Sequence, residues 1–352
     1  MMVLTTKASH RRAAGKNTGN LDEVTPITNL ILELKKEKTM TSVFLKQQQI
    51  DLAGYCYRTP KYKQTRARIN YLIDRYLSLD ILSDRLIDLP TQFHNPHQRP
   101  WQPIDWKAIN PSQIIGVEPE LFLSLIASAV EIEIPIRSYS RESWEYLYKA
   151  HPQLARFVGG VWDETGKVVE VGIWEKEERQ HAPAFSKIYQ QLTGEKLEIV
   201  ANTVIGYQPQ GNYKAEVYHH AVARIATEWS AISVYLWLMA HSTGALQMAI
   251  AQPLQDEVNH LAKFWGIARW GFGDSAVTRT AKAAAFLLQM LFHHKGERTA
   301  SSDVLQVSSL TYTVELSFLF FRVMQQMWRW NFHLQEDALE GLFGTLPQGS
   351  QK

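Results

Sequence analysis

From about residue 118 onward, apolar residues recur at three- and four-residue spacing, and strand-like alternation is rare. Upstream, "TRARINYLIDRYLSLDILSDRL" (65–86) reads as one amphipathic helix. A Pro-, His- and Gln-rich break follows, "LPTQFHNPHQRPWQPIDW" (89–106). Later helices are separated by the breaker clusters "VGGVWDETG" (158–166), "GYQPQGN" (206–212), "HSTG" (241–244), "RWGFGDS" (269–275) and "HHKGERTASS" (293–302). The pattern predicts an all-α protein with long helices. The most apolar runs, "AISVYLWLMA" (231–240) and "AAAFLLQMLF" (283–292), fall short of the roughly 18 residues of a membrane span and read as buried helices.

Composition adds exclusions. Of 352 residues, 45% are hydrophobic and 20% charged, which fits a globular chain with a substantial core. The single cysteine, Cys56, excludes a disulfide framework, a thiolate zinc site and a protein-bound iron–sulfur cluster. A net charge of +2 implies no nucleic-acid field. Residues 1–20 contain no acid, a pattern shared with transit segments, but a disordered tail is the simpler reading. A second start at Met40 marks residues 1–39 as dispensable. The expected organisation is a tail over 1–40 and one helical domain over 41–345. That domain has a core of about 118–270 and extra C-terminal helices over about 274–343.

Chemistry enters with "WEKEERQH" (174–181), which spaces Glu178 and His181 one helical turn apart. "QDEVNH" repeats the spacing with Glu257 and His260, and "EVYH" does so with Glu216 and His219. One such pair means little. Di-iron carboxylate bundles need two of them on separate helices, plus one Glu from each of two more helices, all at one level. Consecutive ligands must then straddle turns. Glu228 lies in the apolar "IATEWSAISVYLW", and its midpoints with Glu178 and Glu257 fall at 203 and near 242, beside "GYQPQGN" and inside "HSTG". Glu131 in "LIASAVEIEIPIRSY" gives a midpoint with Glu178 near 154, close to "HPQLARFVGG". His219 shares a helix with Glu228 but lies half a turn away, so Glu216 and His219 read as surface residues. Glu133 rivals Glu131; the two diverge by about 200° on a helix, so only one can face the core. The expected metal ligands are thus Glu131, Glu178, His181, Glu228, Glu257 and His260. Unpaired carboxylates in apolar stretches are costly, and a divalent cation removes that cost.

With these residues placed, roughly residues 95–265 resemble the soluble acyl-carrier-protein desaturases, a ferritin-like di-iron family. "EIEIP" resembles the family's "EEALP", "WDETG" contains its "DETG", "WEKEERQH" resembles "WTAEENRH", "QDEVNH" resembles "ADEKRH" and "WQPID" (101–105) resembles "WQPQD". The resemblance implies a ferritin-like four-helix bundle with flanking helices, holding two irons on the six ligands. It further implies that Asp256 supports His181 and that Trp101, Asp256 and His181 form an electron path from the surface.

The implied activity is dioxygen-dependent insertion of a cis double bond into a fatty acyl chain on acyl carrier protein, with electrons from ferredoxin. A homodimer and a bacterial cytoplasmic or plastid stromal location are also implied, with no membrane span and no nucleic-acid partner. No Gly-rich nucleotide fingerprint is present, so no bound flavin or NAD is expected. Acidic partners need a basic patch, for which "KYKQTRAR" (61–68) is a candidate beside its plainer reading as a solvated helix start. One departure stands out. The family's Thr three residues after the third-helix Glu is Ala231 here. A di-iron hydroxylase or N-oxygenase, or a non-catalytic iron-binding bundle, is therefore the alternative.

Overall fold

Helix follows the apolar spacing nearly everywhere in the computed structural model, which describes residues 62–134, 136–198, 213–272, 275–293 and 310–343. These residues all fall within one compact unit, Asp51–Lys352. The expected tail and its second start lie outside the described residues.

The predicted helix over 65–86 forms as two, α1 (Tyr62–Tyr76) and α2 (Leu79–Ile87). The break is at Ser78, whose hydroxyl accepts from the Ile81 amide at 3.3 Å and caps α2. Serine competes for backbone bonds, so a continuous apolar stripe does not guarantee a continuous helix. After the short α3 (Leu89–His94), the chain runs through two 3₁₀ turns to α4 (Pro119–Glu133). Proline suits the first helical position. The helix ends two residues before Pro135, which has no N–H to return to the Glu131 carbonyl.

Next come α5 (Ile136–Ala150), α6 (Pro152–Gly159) and a small antiparallel hairpin, β1 (Val161–Trp162) with β2 (Val168–Glu170). The hairpin's "DETG" loop is a local construction. Asp163 Oδ1 accepts from the Thr165 and Lys167 amides and the Thr165 hydroxyl, and Gly166 supplies φ +78°. A Cβ at Gly160 would meet the Glu170 carbonyl at 1.8 Å, so the hairpin's return requires glycine there.

α7 (Ile173–Glu178) and α8 (His181–Thr193) are nearly one helix. Pro183 breaks them, because it has no N–H for the Arg179 carbonyl. The centre of the fold is a hairpin of two long helices, α9 (Tyr213–Ala240) and α10 (Gly244–Gly271), joined through His241–Thr243. α9 also packs on α5, and α4 packs on α8. α10 is buried on all sides from Ala249 to Leu254 and, past half-buried Gln255, from Asp256 to Ala268. A helix buried all round is normally apolar. This one carries Asp256, Glu257, Asn259, His260 and Lys263. α11 (Ala276–His293), α12 (Leu310–Asn331) and α13 (Glu336–Phe343) complete the described chain. The apolar stretches 121–130 and 231–240 supply core residues such as Phe122, Leu125, Ile126, Ile232, Leu236 and Met239. Among the described residues, no helix is long and apolar enough to cross a membrane.

In the basic stretch 61–68, Lys61 and the side chain of Lys63 lie outside the described residues, and Arg68 is turned inward. Arg68 is 4% exposed and donates to the carbonyls of Ala240 and Ser242 at 2.7 and 2.6 Å, closing the end of α9. Arg66 lies over the Phe318 ring. Beside Arg68, a second polar group is buried. Glu315 Oε2 accepts from Trp237 Nε1 and meets His241 Nε2, both at 2.9 Å, and His241 Nδ1 meets the Ile115 carbonyl at 3.0 Å.

Candidate metal centre

Four helical segments bring acids and histidines to one buried level: the end of α4, the α7–α8 junction, and the middles of α9 and α10. Two overlapping sets can each hold a metal ion. One is Glu133, Glu178, His181 and Glu257; the other is Glu178, Glu228, Glu257 and His260, with donor atoms in each set within 4.8 Å of one another. Five of the six expected ligands are therefore brought together. The sixth is corrected: Glu133 is in the pocket, while Glu131 is only half-buried and turned away. Helix phase explains this. The buried positions of α4 are Phe122, Leu125, Ile126, Ala129, Val130 and Glu133, a single 3,4-spaced stripe that Glu131 does not join. That stripe was readable in the sequence.

The two shared carboxylates each divide their oxygens. Glu178 Oε2 lies 3.2 Å from His181 Nδ1, and its Oε1 lies 3.0 Å from His260 Nδ1. Glu257 Oε1 lies 3.2 Å from His181 Nδ1, and its Oε2 lies 3.6 Å from His260 Nδ1. Glu133 stands on the His181 side at 3.8 Å, and Glu228 on the His260 side at 4.0 Å. The geometry is that of two half-sites bridged by two carboxylates.

Each imidazole is held from behind. His181 Nε2 faces Asp256 Oδ2 at 3.3 Å, and His260 Nε2 faces Glu177 Oε2 at 2.8 Å. A carboxylate at Nε2 fixes the N–H there and turns Nδ1 toward the pocket. The bracing crosses over: the residue just before each shared Glu supports the histidine of the opposite helix. Glu177 was unassigned by the sequence reading, although it occupies the same place before its Glu-x-x-His as Asp256 does before its own.

Trp101 Nε1 donates to Asp256 Oδ2 at 2.7 Å, and its ring stacks on His181 with centroids 6.2 Å apart. Trp101, Asp256 and His181 are thus in contact in the expected order. Arg99, from the loop after α3, was missed altogether. Its Nε donates to Asp256 Oδ1 at 2.6 Å, and its backbone N–H donates to Glu177 Oε1 at 2.7 Å. Trp174 is fully buried, edge-on to His260. Arg179 is exposed and pairs with the buried Glu175, away from the pocket residues.

A test of fit lies in what has no partner. His181 Nδ1, His260 Nδ1 and both oxygens of Glu257 are buried without a hydrogen bond. They are close to one another but not aligned as donors and acceptors. Buried polar atoms normally find partners, at about 1–3 kcal/mol for each failure. Convergent imidazole and carboxylate lone pairs, with no sulfur among them, fit a pair of divalent first-row ions.

The electrostatics agree. Burial, then the nearby Glu178, pushes the Glu133 carboxyl up to about 8. Burial, then Glu257, holds Glu228 well above its ordinary range. Burial would lower both imidazoles, but Glu257 and Asp256 outweigh it at His181, and Glu177 and Glu178 do so at His260, holding both well above. The direction is the same at His181, His260, Glu133 and Glu228: each favours its protonated form where no cation is bound.

Of the third Glu-x-x-His pair, His219 stays apart from this centre. His219 is exposed, and the Glu216 side chain lies outside the described residues. Ala231 is half-buried. Thr227 Oγ1 lies 3.5 Å from Glu228 Oε1, while Ser233 bonds back to the Trp229 carbonyl. No family model, curated protein or solved structure matches this chain.

Proposed function

We propose that the protein is a ferritin-like di-iron enzyme that uses dioxygen and external electrons to oxidise an unactivated C–H bond. Within that class, the resemblance directs the reading to desaturation of a fatty acyl chain on acyl carrier protein, with ferredoxin as reductant. One observation carries the di-metal part: two four-residue donor sets share Glu178 and Glu257, with the oxygens of each divided between two histidines.

Glu133 and His181 would hold one ion, Glu228 and His260 the other, and Glu178 and Glu257 both. The ions, when bound, supply the redox chemistry that side chains cannot perform. The chain's own residues do the rest. Asp256 and Glu177 keep each Nε2 protonated and each Nδ1 aimed inward. Trp101 offers an aromatic contact from the outer loop to His181, as an electron path requires. The apolar packing around α9 and α10 excludes water from the pocket.

A second reading rests on Ala231. With no hydroxyl at that place, and Ser233 committed to backbone, proton delivery differs from the desaturase pattern, and hydroxylation or N-oxygenation becomes the competing outcome. The experiment has two parts. Anaerobic titration with ferrous iron is expected to reach two ions per chain, and Glu178→Ala to bind none. Incubation with reductant, dioxygen and acyl carriers then distinguishes alkene from alcohol. Wild-type protein that binds no iron would overturn the proposal.

A further inference from the structure

Besides the metal-facing side chains, a phenol reaches the pocket from the α9 wall. Tyr235 Oη donates to Glu133 Oε1 at 2.5 Å. Tyr235 follows Glu228 by seven residues on α9, so both leave the same helix face. The tyrosine is 2% exposed, and its ring packs on Phe185 with centroids 4.8 Å apart. Its near neighbours Ile232, Leu236 and Leu238 belong to the same buried apolar core.

This setting gives the phenol two properties. Its proton has an acceptor already in hydrogen-bond contact, so proton and electron can leave together without forming a charged radical. Its ring is shielded from solvent and reductants by apolar side chains. Glu133 places the acceptor beside the metal half-site of His181. A tyrosine needed only for packing gains nothing from a hydroxyl here; phenylalanine would fill the same space without a buried O–H.

We propose that Tyr235 is a one-electron donor to an oxidised metal pair in the pocket, acting when no substrate C–H bond is within reach. The inference rests on the redox-metal reading above. The oxidant is dioxygen, consumed at the pocket by the proposed activity. The step balances. Tyr235 gives one electron to the oxidised pair, which is reduced by one. The phenolic O–H bond breaks, an O–H bond forms on Glu133 Oε1, and a neutral phenoxyl radical remains on Tyr235.

The test needs no substrate. The full chain, produced with ring-deuterated or ordinary tyrosine, is loaded with ferrous iron under argon and its iron content measured. It is mixed with oxygenated buffer, freeze-quenched and examined by electron paramagnetic resonance. Wild type is expected to give an organic-radical signal whose hyperfine splitting collapses on deuteration. Tyr235→Phe, loaded to the same iron content, is expected to lose that signal. Iron-loaded wild type without a tyrosyl signal overturns this inference and leaves the metal centre standing, as does a Tyr235→Phe variant that keeps the signal. Wild type that holds no iron overturns both. The deuteration result assigns the radical to tyrosine even if the variant fails to fold.

Discussion

Among the described residues, two buried groups of acid and histidine end differently. At the far end of α9, His241 and Glu315 close on each other, on Trp237 and on the Ile115 carbonyl, leaving one Glu315 oxygen over. In the middle of α9 and α10, the Nδ1 atoms of both histidines and both oxygens of Glu257 point at a common space without a hydrogen bond. Burial of charge is therefore not what marks a site. Convergence of unmet lone pairs is. The first group fastens α12 to the α9 hairpin; the second, braced through the two Nε2 atoms, leaves its Nδ1 atoms facing a shared pocket.

Substitutions can break this contrast. The largest effect is expected at a shared ligand. Glu178→Ala should take iron content from two ions to none, whereas Glu133→Ala should leave about one; equal losses would mean that the oxygens of Glu178 are not divided as described. Next, Glu315→Leu strands Trp237 Nε1 and His241 Nε2. At about 1–3 kcal/mol each, it should destabilise the protein by about 2–6 kcal/mol in urea unfolding. Glu228→Gln should do the opposite in metal-free protein, because it removes a carboxylate crowded by Glu257 and Glu178. A metal-free Glu228→Gln that melts well below wild type would erase the distinction between the two groups.

Smaller effects sharpen the comparison. Asp256→Asn and Glu177→Gln should each weaken iron binding by about 10–100-fold, as loss of a histidine's supporting carboxylate commonly does. Calorimetry should give similar losses for the two, since the bracing is crossed and equivalent. The smallest effect is in pH. Glu133, Glu228, His181 and His260 all have folded pKa values above their unfolded ones. These four groups hold protons more tightly in the fold than in the unfolded chain. Their contribution to stability is full in acid and is lost as pH rises, for Glu133 between 4.5 and about 8. Metal displaces those protons. The rise in melting temperature on adding iron should grow by a few degrees between about pH 5 and 8. A flat or falling response would contradict the displacement of protons by metal.

Much of this was legible in advance, for physical reasons. Helix period and the turns between consecutive ligands located Glu178, His181, Glu228, Glu257 and His260. Glu131 was preferred to Glu133 on turn spacing and motif likeness, when the stripe Phe122–Leu125–Ile126–Ala129–Val130 already pointed to Glu133. Motif likeness to "DETG" carried no site chemistry, since those residues close a hairpin loop. The split of α1 from α2 turns on one serine hydroxyl, a local competition that periodicity does not register. Arg99 left no trace at all. It lies in an irregular segment, and Glu177 and Asp256 are 78 and 157 residues away from it.

Arg99 has a consequence for how the pocket is kept in order. Fixing the backbone of one residue costs about 1–2 kcal/mol of conformational entropy. Here one ordered residue holds Asp256 with its side chain and Glu177 with its backbone, so a single loss of freedom aligns both imidazoles. The two half-sites share that constraint in parallel. Loosening the loop would blur them together, which makes the segment between α3 and α4 the common source of their order.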